Sequence, residues 1–290
     1  MDPITLDNDL ARKLDSGMRS GETIELPFPV IYIWAHNGQA SYKSQVQTAP
    51  ALYYGGWACK AEDLQTVAEQ GGLNIPAGWV QTAVDTRDGN GFEAFVTRNV
   101  IVAPIGKRES WIDRDGKRSP KFIDGGRRHL QALCYLAEKQ GTNGDSRIIP
   151  WGPVVLTAKG YQAKNLLGAF TTWDKATSSL RHKVAPGVPA WCFYLSLGTF
   201  GKDRQVTNVG QAGAQSPITP ITAYIPEGMT PEKMASLFVG QEVAGLMADY
   251  QDQAAEWLGA WKEPVVSQGA AQGEDEFFMG TPPEEDEVPF

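Results

Sequence analysis

Short runs of β-branched and aromatic residues, each fenced by proline, glycine or Asn-Gly, constrain this chain more than any other feature. Residues 27–34 (Pro-Phe-Pro-Val-Ile-Tyr-Ile-Trp) form one such run, ended by Asn37-Gly38. Residues 78–84, 91–104, 148–156 and 189–200 form others, and residues 205–225 add more between Gly/Gln turns. Side chains of this kind pack well on a pleated surface, and the punctuation keeps each strand short. The run at 91–104 alternates at Phe92, Ala94 and Val96 and then turns continuously apolar from Val100 to Ala103, which predicts two strand segments or one long bent strand. The run at 148–156 carries two prolines, which predicts an edge strand.

Helical signals lie between these runs. Residues 63–70 precede Gly71-Gly72 and predict a short helix. Residues 127–139 place Leu130, Leu133, Cys134 and Ala137 on one helical face and predict a helix after Gly125-Gly126. Residues 159–181 carry Leu166, Leu167, Phe170, Trp173 and Leu180 at helical spacing. Thr230-Pro231-Glu232 opens a last helical region reaching Pro264, with Gly240 and Gly245 as candidate breaks. A short arm or helix is expected over residues 1–25. The fold class is α+β with much mixed or antiparallel sheet.

Beyond Pro264 the pattern stops. Residues 265–290 are mostly Ser, Gln, Gly, Ala, Pro and acid, a composition expected not to bury enough apolar surface to fold. The chain is therefore expected to divide into a folded domain, 1–264, and a disordered acidic tail, 265–290. No stretch of eighteen apolar residues occurs, so no membrane partner is expected, and the first residues lack a signal-peptide pattern. Cys59, Cys134 and Cys192 are far apart and lack CxxC spacing. They are expected to be buried apolar side chains of a protein in a reducing cytoplasm.

The net charge of −8 conceals a division. Residues 274–290 hold seven acids and no base, and removing them leaves the rest close to neutral. Residues 98–204 hold 18 of the 26 Lys and Arg against 8 acids. A basic middle with an acidic tail suits a polyanion binder whose tail imitates the polyanion. The densest stretch interleaves Lys107, Arg108, Arg114, Lys117, Arg118, Lys121, Arg127 and Arg128 with Trp111 and Phe122, around an Asp115-Gly116 hairpin turn. Cations for phosphates and rings for base faces are what a single strand of nucleic acid requires. Gly125-Gly126 before Arg127 and Arg128 suggests in addition a phosphate at a helix start. Trp57 and Trp173 are further candidate stacking residues, as are Trp34, Tyr53, Tyr54 and Trp79. Lys202 and Arg204 sit in a predicted hairpin loop that could close over a strand. Lys159, Lys164, Lys175, Arg181, His182 and Lys183 form a second basic group.

The chain ends Glu284-Glu285-Asp286-Glu287-Val288-Pro289-Phe290. An apolar ring for a pocket, a terminal carboxylate for a basic residue and an acidic run for steering make a short recognition peptide. This end resembles the acidic tip of bacterial single-stranded-DNA-binding proteins, closely over residues 286–290 and loosely over the acidic tail. The resemblance implies an OB-fold-like small β-barrel embellished with helices. It also implies binding of single-stranded DNA, and recruitment of replication and recombination proteins through the tip. The tail would compete with DNA for the protein's own surface. Because nothing upstream matches that cellular family, a phage or viral source acting in the host cytoplasm is expected.

Signals for an enzyme are poor. His36, His129 and His182 have no metal-ligand spacing, and no phosphate-binding loop or nucleophile elbow occurs. Neither catalysis nor a cofactor is expected. The alternatives are a recombination protein that anneals single strands and, further off, a metal-dependent nuclease using Glu109, Asp113 and Asp115. Oligomeric state is not legible in the sequence.

Overall fold

A computed structural model describes residues 24–36, 55–85, 91–113, 117–141, 147–198, 207–209 and 216–261. The expectations for the N-terminal arm, Tyr53, Tyr54, Arg114, Asp115, Lys202, Arg204 and the whole tail lie outside the described residues.

The strands are β1 (Ile31–His36), β2 (Gly56–Lys60), β3 (Val80–Asp85), β4 (Gly91–Thr97), β5 (Asn99–Ile112), β6 (Arg118–Ser119), β7 (Arg127–Gln140), β8 (Arg147–Lys159), β9 (Leu195–Gly198), β10 (Thr207–Val209), β11 (Ser216–Ile218) and β12 (Thr222–Tyr224). The helices are α1 (Ala61–Gly71), α2 (Tyr161–Val184), α3 (Pro231–Ala235), α4 (Gln241–Gln253) and α5 (Ala255–Gly259). The class is α+β, as expected. Ten strands form one sheet in the order β12-β9-β5-β7-β8-β1-β2-β4-β3, with β6 beside β5; β10 and β11 pair separately. All neighbours in the large sheet are antiparallel except β1 and β8.

The sheet curls into a half-barrel. Arg98 alone separates β4 from β5, although four strands stand between them in the sheet. Trp57 of β2 donates its indole Nε1–H to the Leu197 carbonyl of β9 at 2.9 Å, across the inside of the curl. Gly198 stands opposite Asn99, and a Cβ on it would come 2.9 Å from the Asn99 Cα, so this crossing requires glycine. Ile31, Ile33, Trp57, Leu130, Val154 and Leu156 fill the interior. A second small cluster, Ala58, Val84, Ala94 and Val96 with Trp34 and Phe92 against it, covers the outer side of β2–β4–β3. All three cysteines are buried and free, and burial pushes the Cys59 thiol up to about 12.

Residues 127–139 are a strand, not a helix. Residues 130–137 are all buried, because both faces of β7 are covered. Leu130, Ala132, Cys134 and Leu136 face one way. Gln131, Leu133 and Tyr135 face the other, where Tyr250 of α4 lies 6.3 Å from Tyr135. A strand covered on both sides loses its period-two signature. The remaining apolar spacing of three and four imitates a helix. The phosphate site inferred at a helix start before Arg127 falls with the helix.

β8 is likewise interior rather than an edge, lying between β7 and β1. Its prolines are tolerated because β1 pairs only with residues 154–157, leaving Pro150 and Pro153 with one neighbour. The register skips Trp151, a bulge whose indole Nε1–H donates to the Asn74 carbonyl at 2.9 Å. In the run expected as a strand at 189–200, a short 3-10 turn, Ala190–Cys192, precedes the strand β9, Leu195–Gly198. Thr230 caps α3 as its residue type demands, accepting from the Lys233 amide at 3.3 Å. Gly240, at φ 87°, separates α3 from α4, whereas Gly245 continues the helix.

α4 and α5 lie across the outer face of β5–β7. Leu258 of α5 packs so close to Gly106 that a Cβ there would meet it at 2.8 Å. Among the described residues no helix is long and apolar enough to cross a membrane.

Candidate nucleic-acid interface

β5 and β7 extend beyond the half-barrel, and β6 folds back on β5, with Trp111 opposite both Ser119 and Arg128. Strand alternation then sorts the side chains into two faces. On the first face Trp111 is half-buried and Phe122 is 60% exposed. Their centroids are 4.7 Å apart at 76°, an edge-to-face pair. The Arg128 guanidinium carbon lies 5.8 Å from the Trp111 ring, and Arg128 Nε pairs with Glu109 at 3.4 Å. Lys107 shares this face of β5, and Lys117 and Lys121 are exposed beside β6, whereas Arg118 and Arg127, each in register with Ile112, belong to the opposite face. Glu109 serves here as the partner of Arg128; Asp115 of the nuclease alternative lies outside the described residues.

The second face is buried and polar. Arg108 is 3% exposed. Its Nε and Nη2 donate to Gln131 Oε1 at 3.0 and 2.8 Å, and its Nη1 donates to the Trp257 carbonyl at 3.1 Å. Its guanidinium carbon lies 3.8 Å from the Trp257 ring and 4.0 Å from Trp261. Arg118 stacks on Trp261 at 4.1 Å, and His129 lies 5.3 Å from the same ring. Burial, reinforced by nearby Arg118, holds Arg108 down at about 10. Burial also holds His129 down at about 3, with Arg118, Lys159 and Arg108 adding repulsion.

The structure thus brings Lys107, Trp111, Phe122 and Arg128 to one face of the hairpin and Arg118 and Arg127 to the other, with Lys117 and Lys121 exposed beside β6. It removes three expected contacts. Trp57 is fully buried and hydrogen-bonded in the core, and Trp173 is 3% exposed in the same core. Neither offers a face to a base. Arg108 is bound inside the protein and has no free donor edge at the surface. In the second basic group, Arg181 is buried and ion-paired with Asp174.

Gln131, Ser110, His129, Trp257 and Trp261 enter the arrangement without having been singled out. His129 was legible in principle, since it follows Arg127-Arg128 directly. Trp257 and Trp261, four apart at the end of a helix, carry the spacing of ordinary core residues.

What fold and site define is a curled mixed sheet with an exposed cationic and aromatic hairpin. In comparisons with family models, curated proteins and solved structures, nothing matches this chain.

Proposed function

We propose that this chain binds single-stranded DNA without sequence preference, in replication, recombination or repair, and performs no catalysis. The observation that carries the reading is the Trp111–Phe122 pair, half-buried Trp111 against exposed Phe122, with Arg128 beside it and Lys107, Lys117 and Lys121 exposed on the same hairpin. Rings that accept any base beside cations that accept any phosphate bind strands irrespective of sequence.

The reading extends to the fold. The path β5-β7-β8-β1-β2-β4 returns to its own starting strand through Arg98. Five strands, one of them long and bent, support an OB-like reading of this half-barrel, the partly open five-stranded form that presents strands and loops to oligonucleotides. Here β1 and β2 precede the bent strand in the chain.

The acidic tail recruits other proteins through Val288-Pro289-Phe290 and competes with DNA through Glu284, Glu285, Asp286 and Glu287. The placement of Trp261 supports this, because it lies four residues before the tail begins and stacks on Arg108 and Arg118.

Titration of the whole protein with oligo-dT, followed by tryptophan emission at two salt concentrations, tests the reading. Quenching that weakens with salt is expected. Absence of binding in dilute buffer refutes it.

A further inference from the structure

Ser110, His129 and Lys159 stand in register across β5, β7 and β8, so their side chains share one face. Ser110 is 1% exposed and His129 5%. Neither the Ser110 hydroxyl nor either ring nitrogen of His129 has a hydrogen-bond partner. Buried polar groups are nearly always bonded, and each orphan costs about 1–3 kcal/mol. Three orphaned atoms on two facing residues leave hydrogen-bonding capacity for a further partner. The charges around it are of one sign. Arg118 comes in from β6, Lys159 from β8 and Arg108 from beside Ser110. Trp261 forms the wall, touching His129, Arg108 and Arg118. Among the described residues no carboxylate pairs with Arg118 or Lys159. Glu109 belongs to the opposite face of β5, and Tyr32 is the remaining titratable group coupled to Arg108.

We propose that Ser110, Arg118, His129 and Lys159 form a pocket for one backbone phosphate of the bound strand. This rests on the single-strand reading above and adds a contact on the face opposite Trp111 and Phe122. A phosphate accepts from several donors at once: the hydroxyl, the guanidinium, the ammonium and one N–H of an imidazolium. It also relieves the mutual repulsion of the cations, which a neutral ligand does not. His129 takes up a proton when the anion arrives, because opposite charge at contact favours the charged imidazole.

The test is a pH titration of the whole protein with ¹⁵N-labelled histidine, free, with oligo-dT, and with inorganic phosphate. His129→Gln assigns the signal. In the free protein His129 stays neutral down to about pH 3. With oligo-dT or phosphate its midpoint rises by about 1–3 pH units. Arg118→Gln lowers the salt slope of oligo-dT binding by about 0.7, the share of one phosphate on a single strand. Oligo-dT that binds while His129 stays unmoved overturns the pocket and leaves the single-strand reading intact. A rise with phosphate, without any oligo-dT binding, upholds the pocket and overturns that reading. No response to either ligand overturns both, a buried water then satisfying the orphaned atoms.

Discussion

Replacing Phe122 by alanine isolates base stacking from phosphate binding. The ring is 60% exposed and touches Trp111 by its edge, so the fold loses only the pair, about 0.5–1.5 kcal/mol. If a base stacks on it, the complex loses about 1–3 kcal/mol, or roughly 5- to 150-fold in affinity. The cations are untouched, so the dependence of log K on log salt keeps its slope. Lys117→Gln does the reverse, with a slope shallower by about 0.7 and a modest loss at low salt. Anisotropy of labelled oligo-dT across a salt series reads both quantities, with circular dichroism confirming the fold. Affinity within twofold of wild type, in a Phe122→Ala protein that still melts cooperatively, refutes the stacking argument.

Trp57→Ala removes a fully buried ring and its bond to the Leu197 carbonyl, and is expected to cost about 3–5 kcal/mol in urea unfolding. Gly198→Ala drives a methyl into the Asn99 backbone, and a lower melting temperature with unchanged hairpin chemistry is expected. His129 has a folded-state pKa below its unfolded value. Its unfolded form therefore gains a proton first, and stability falls as pH drops from about 6.5 toward 3, by up to about 1.4 kcal/mol per pH unit. Urea midpoints at pH 7 and pH 5 measure this, and His129→Gln flattens the difference. Deleting residues 274–290 leaves oligo-dT binding equal or tighter; clearly weaker binding counts against tail competition.

The hairpin was legible because its evidence is local. Trp111, Phe122 and the basic residues lie within about twenty positions of one another, and one turn suffices to bring them together. β1, β3, β4, α1, α2 and the Thr230 cap were legible for the same reason, being written in spacing and punctuation. β7 was not. Its helix-like spacing at Leu130, Leu133, Cys134 and Ala137 is a by-product of burial on both faces, and burial depends on α4 and on the curl of the sheet. Trp57 and Trp173 read as stacking candidates because an aromatic beside glycine or lysine has the same composition inside and outside a protein.

By itself the sequence settled the α+β class, the separation of a basic middle from an acidic end, and the hairpin that gathers cations around two rings. Those follow from residue type and short-range order. Only the tertiary structure decided that Arg108 lies buried between Trp257 and Trp261, that Ser110 and His129 face each other without partners, and that β4 and β5 are joined by Arg98 alone while four strands separate them in the sheet. Each of these depends on segments distant in sequence meeting in space, and the free energy of that meeting is a property of the packed whole rather than of any window of the chain.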